Sequence, residues 1–129
     1  MTTQRTSSSN TIHDLQHLLP SGDAISNELA ILILEQIDRR IPTLPEGISL
    51  TAKNICGRGY WEAFSPREQR LAGQYISMAV TQELLPFIHA GTNTQNAKLY
   101  VLDLSKTTSV IRTAIATHRQ YNTHMEATS

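Results

Sequence analysis

Residues 65–102 constrain this chain more than any other stretch. Ser65-Pro66-Arg67-Glu68 places a serine acceptor before a proline, with a glutamate three residues after the serine. Proline suits the first helical position, where its missing N–H has no partner to lose. The spacing predicts a reciprocal capping box, serine and glutamate each satisfying a backbone N–H that a helix start leaves unpaired. From there a helix is expected to about residue 83. Leu71, Tyr75, Met78 and Ala79 form one apolar row and Ala72, Ile76 and Val80 its neighbour. Arg67, Arg70, Gln74, Ser77 and Thr81 make the opposite, polar face. Two β-prone runs follow, Leu85 to Ala90 and Lys98 to Asp103, around the tip Gly91-Thr92-Asn93-Thr94-Gln95-Asn96. That arrangement predicts a hairpin whose loop is longer than a two-residue turn.

The remaining segments read mostly as helices around this unit. Residues 1–10 are Ser/Thr-rich and are expected to be a disordered tail. A short helix is expected over 11–19, with Ile12, Leu15, Leu18 and Leu19 on one side, until Pro20-Ser21-Gly22 breaks it. Asp23 is the expected N-cap of a helix over 23–40. Leu29 to Leu34 is apolar on every side, so this helix needs cover all round, from its own chain or from a second copy. Pro42, Pro45 and Gly47 mark a loop over 41–49. A short helix is expected over 51–56, ended by Gly57, with Tyr60, Trp61 and Phe64 as core at the joint that follows. Ser105 or Thr107 would cap a last helix over 107–121, leaving 122–129 as a flexible tail. The expected fold class is therefore mainly α with a small β-hairpin, a single domain over 11–121.

Charge and cysteine content narrow the function classes. The formal net charge is zero, but residues 1–52 carry −3, residues 53–98 carry +2 and residues 99–129 carry +1. The basic excess thus falls on the helix and hairpin, a modest bias toward an anionic partner. Cys56 is the only cysteine, so no disulfide framework or cysteine-based zinc site can form within the chain, and a reducing cytoplasm is the expected compartment. The apolar run from Leu29 to Leu34 is too short to span a bilayer, and no membrane partner is expected.

A short helix, a connector, a well-capped long helix and a hairpin follow one another in order. The stretch Ser65–Leu102, closing on Tyr100-Val101-Leu102, resembles the recognition helix and wing of bacterial winged helix-turn-helix regulators, and the resemblance extends loosely over residues 50–103. The chain also resembles small proteins of bacterial mobile elements. The first resemblance implies a winged helix-turn-helix with extra N- and C-terminal helices, binding double-stranded DNA in transcription regulation. It implies that Arg67, Arg70 and Gln74 reach base edges, arginine suiting guanine and glutamine suiting adenine. Lys53 and Arg58 would touch phosphates. Lys98, His89, Asn93 and Asn96 would carry the wing to the backbone or minor groove. A homodimer through residues 23–40 would present two such helices to a palindromic site.

Other signals are weaker. His13 and His17 stand four apart on an expected helix, yet no third ligand completes a metal pattern. His118 and His124 read as surface. No phosphate loop, nucleophile elbow or HExxH is present, and Cys56 reads as core, so catalysis, metal and cofactor are not expected. The alternative function is a non-catalytic protein–protein adaptor within a larger complex. DNA binding requires Arg58, Arg67, Arg70 and Lys98 on one face clear of Glu62 and Glu68, whereas an adaptor would show a neutral or apolar patch there. RNA binding is disfavoured because no exposed stacking platform is evident in the sequence.

Overall fold

A computed structural model describes residues 16–106 and 109–128, with side chains of the final helix described as far as Gln120. The tail expected over 1–10, the start of the helix expected at residue 11, His13, Thr107 and the side chain of His124 lie outside the described residues. Among the described residues the chain is mixed α and β rather than mainly α. Strands β1 (Gln16–Leu18) and β2 (Ala24–Ser26) pair antiparallel, His17 opposite Ile25. Helix α1 (Asn27–Arg40) and a 3-10 turn (Ile41–Thr43) lead to strand β3 (Ser49–Leu50). Helices α2 (Ala52–Cys56), α3 (Arg58–Glu62) and α4 (Pro66–Thr81) follow, then strands β4 (Phe87–Thr92) and β5 (Lys98–Leu102) and helix α5 (Ser109–Thr128).

Residues 16–18, expected as helix, are strand instead. Pro20-Ser21-Gly22 reverses the chain rather than ending a helix. Gly22 takes φ +96°, and the Leu19 N–H donates to the Asp23 carbonyl at 2.8 Å. The reversal lays Gln16–Leu18 against Ala24–Ser26, and the backbone groups of both find partners across the pair. Helix α1 consequently starts four residues later than expected. Ser26, not Asp23, is its N-cap, accepting from the Leu29 N–H at 3.1 Å.

The capping box appears as expected. Ser65 Oγ accepts from the Glu68 N–H at 3.2 Å and Glu68 Oε1 from the Ser65 N–H at 2.8 Å. Helix α4 buries Leu71, Ala72, Tyr75, Ile76, Ala79 and Val80, with Met78 partly buried. It stops two residues short of the expected end, because Glu83 turns left-handed at φ +61°. Thr51 and Asn54 form a second capping box at α2. Helix α3 was not expected. Its aromatics Tyr60 and Trp61 are only partly buried, and each meets Phe64 edge to face.

The expected hairpin forms, and β3 extends it to a three-stranded antiparallel sheet in the order β3-β5-β4. Leu50 stands opposite Tyr100, and Tyr100 opposite His89, with an irregularity in β4 between His89 and Thr92. A single core joins the sheet to the helices around α1, whose Ala30, Ile33, Leu34 and Ile37 are fully buried. Helix α5 lies along α1 and adds Ile111, Ala114 and Ile115 to that core. Asp38–Arg112 at 3.5 Å and Glu35–Arg119 bridge the pair on its outer side. The apolar face expected to bind a second copy is thus covered by the chain itself. Leu32, 52% exposed, is the exception. The backbone of α5 continues to Thr128, through the segment expected as a tail.

Candidate nucleic-acid interface

Helix α4, the start of α2 and the β4–β5 hairpin enclose a cleft of about 480 Å³. Capping places its walls. The Thr51–Asn54 box fixes the first turn of α2, which brings Ala52 and Lys53 to one side. The Ser65–Glu68 box fixes α4 so that Gln69, Arg70, Gly73 and Gln74 form the second side. The hairpin supplies Asn93, Gln95, Ala97 and Lys98, and Trp61 and Tyr100 complete the lining.

Five of the nine residues expected to contact nucleic acid line this cleft: Lys53, Arg70, Gln74, Asn93 and Lys98. Arg58, Arg67, His89 and Asn96 are exposed but do not line it. Arg70 and Lys98 line the cleft from different elements, and neither has an acidic partner among the described residues. Arg67, on the first turn of α4, likewise has none. Glu68 is held by its cap and makes no ion pair with these cations.

Several expected contacts are already engaged elsewhere. Glu62 Oε2 lies 3.2 Å from both Lys53 Nζ and Arg58 Nε, so the two phosphate candidates share one carboxylate, and Arg58 is not clear of Glu62 as the DNA-binding expectation required. Hydrogen bonds from Lys53 and Arg58 hold the Glu62 carboxyl below its ordinary pKa, so the triad keeps a net single positive charge at neutral pH. Gln74 accepts from Ser21 Oγ at 2.5 Å and donates to Asp23 Oδ2 at 3.4 Å, which binds the β1–β2 turn to α4 and occupies the amide proposed for adenine. Asn93 Oδ1 accepts from the Gln95 and Ala97 N–H groups, both at 2.9 Å, and so orders the hairpin tip. Asn96 occupies a left-handed turn position there, φ +66°. His89 is hydrogen-bonded to Thr81 at 2.9 Å and lies against Tyr100, so it ties the hairpin to α4 rather than extending it outward.

Trp61, expected as core, does pack against the core, but it is only partly buried and also lines the cleft.

The histidines depart further from expectation. His17 lies on a strand, where its Nε2–H donates to Asn27 Oδ1 at 2.7 Å. His118 is buried, not surface. It stacks on His17 at 4.7 Å between ring centroids and shares a 3.0 Å hydrogen bond with the Tyr75 hydroxyl. Burial, with the adjacent His17 adding to it, pushes the His118 pKa down to about 4. Cys56 is buried and its thiol is pushed up to about 12, so it is a neutral core group at physiological pH. Among the described residues no three potential ligands gather as a metal site, and no helix is long and apolar enough to cross a membrane. Comparison with protein-family models, with curated proteins and with solved structures finds no match to this chain.

Proposed function

We propose that this chain is a small DNA-binding regulator that engages double-stranded DNA through α4 and the β4–β5 hairpin, as a winged helix-turn-helix does, and regulates transcription by occupying its site. The observation that carries this is the pairing of Arg70 and Lys98 across one cleft with no carboxylate opposing either among the described residues. Further support comes from element order: helix, strand, short helices, long capped helix, hairpin, with β3 added beside β5. In such an arrangement the long helix enters the major groove and the hairpin lies along the backbone. Arg67 and Arg70 are then the side chains for base edges or phosphates, and Lys98 a phosphate contact. Gln74 and Asn93 act as supports that hold the surface in shape. A single chain makes this contact, since the face expected to dimerise is largely buried within it.

Fluorescence anisotropy with random-sequence duplex, repeated over a salt series, tests this directly. Three phosphate contacts would give a slope of about −3 in log affinity against log salt. Arg70→Ala and Lys98→Ala are each expected to reduce that slope by about 1 while leaving the fold intact. Absence of binding at low salt removes the proposal. A protein-binding adaptor is the second reading, favoured by one observation: Glu62 neutralises part of the basic surface beside Trp61.

A further inference from the structure

The cleft between α4 and the hairpin has features that duplex binding does not call for. Its volume of about 480 Å³ lies within the ~300–1,000 Å³ of small-molecule sites. Trp61, Ala52 and Ala97, each partly exposed, give it apolar surface over a nearly buried Tyr100. Gly73 lies in the middle of α4, where glycine costs about 1 kcal/mol relative to alanine. No tight packing demands it: a Cβ built there meets nothing within 4 Å, so a side chain at this position would project into open space along the cleft. The glycine keeps volume clear.

The polar groups of the lining define the charge of an occupant. Thr51 is hydrogen-bonded to Asn54, Gln69 to the Trp61 carbonyl, Gln74 to Ser21 and Asp23, and Asn93 to its own turn. Among the described residues, Arg70 and Lys98 remain as cations without acidic partners and no carboxylate lines the cleft. From these we infer that the cleft binds a small, flat aromatic anion, its ring held against Trp61 in the space left open at Gly73 and its phosphate or carboxylate by Arg70 and Lys98. Charge-assisted hydrogen bonds from two cations without acidic partners favour an anion, and the apolar lining favours the ring. The occupancy stands on the cleft alone. One consequence rests on the DNA proposal: because ligand and duplex share Arg70 and Lys98, they would exclude each other.

Trp61 is the only tryptophan, so intrinsic fluorescence of the full chain reports on this site. Adenosine 5′-monophosphate and benzoate serve as probes for the two anionic groups, with adenosine and inorganic phosphate as controls for ring and charge alone. A saturable change with at least one probe, at concentrations where neither control saturates, is the expected result. Arg70→Ala and Lys98→Ala should each weaken it about threefold to tenfold. Gly73→Leu should abolish it without lowering Tm, since leucine is a better helix former than glycine. No saturable change with either probe overturns the inference, as does undiminished binding in both Gly73→Leu and Arg70→Ala. Duplex titration of the same sample separates the two proposals. Probe binding without duplex binding removes the DNA proposal alone, and duplex binding without probe binding removes this one alone.

Discussion

Arg40 and Gly57 meet where the chain passes from α2 to α3. Arg40 donates to the Ile55 carbonyl at 3.2 Å and the Asn54 carbonyl at 3.1 Å, and Gln36 donates to the Cys56 carbonyl at 2.8 Å. Side chains of α1 thereby satisfy carbonyls that a five-residue helix leaves unpaired at its end. Gly57 then takes φ +97° and ψ 138°, a conformation nearly restricted to glycine, and redirects the chain so that Trp61 reaches the cleft. A Cβ at this position would stand 3.4 Å from Arg40 Nε, ordinary contact, so backbone strain dominates any substitution. Gly57→Ala is therefore expected to cost about 1–3 kcal/mol, read as a lowered urea midpoint with unchanged m-value. An unchanged midpoint would mean that the α2–α3 junction relaxes freely. The sequence marked Gly57 as a helix end; it could not show that a second helix begins at once, because Arg58–Glu62 has no cap of its own to announce it.

At the scale of elements, what was legible depended on whether the signal was local. Helix α4 and the hairpin could be read because Ser65, Pro66 and Glu68 sit within four residues of one another and Gly91–Asn96 is a contiguous turn. The β1–β2 pair could not, because Leu15, Leu18 and Leu19 fit a helical stripe as well as a strand, and only the reversal at Gly22 decides between them. The site was half legible for the same reason. Arg70 and Lys98 carry their charge wherever they lie, but the engagement of Gln74 by Ser21 and of Lys53 by Glu62 spans 53 and 9 positions of sequence. Ser65→Ala tests the local side. It removes the acceptor for the Glu68 N–H, and a loss of about 1 kcal/mol is expected by urea unfolding. A loss below a few tenths would show that the glutamate half of the box alone holds the helix start.

For the molecule as a whole, one polar node joins segments that are far apart in the chain. His17 from β1, Asn27 from α1, Tyr75 from α4 and His118 from α5 meet in the interior, and Asn27 Nδ2 donates to the His118 carbonyl at 3.0 Å. Buried polar groups at such a junction need their partners, so the node fixes how α5 seats on the rest. It also makes stability depend on pH. His118 has a folded pKa of about 4, below the ~6.5 of an unfolded histidine, so between those values the unfolded chain binds the extra proton. Stability should be full above pH ~6.5 and fall as pH drops toward 4, by at most about 3 kcal/mol. Glu62 and Asp103, whose carboxyls are held below their usual values, reinforce the fall only once pH enters the ordinary carboxylate range. Urea midpoints measured from pH 7 to 4.5 should therefore decline in the native chain. In His118→Phe, which retains a ring against His17 but cannot be protonated, the decline should be shallower, although the variant loses the Tyr75 hydrogen bond and starts from a lower midpoint. Parallel curves for the two proteins would place the acid sensitivity outside this node and leave α5 held by its apolar contacts and its bridges to Asp38 and Glu35.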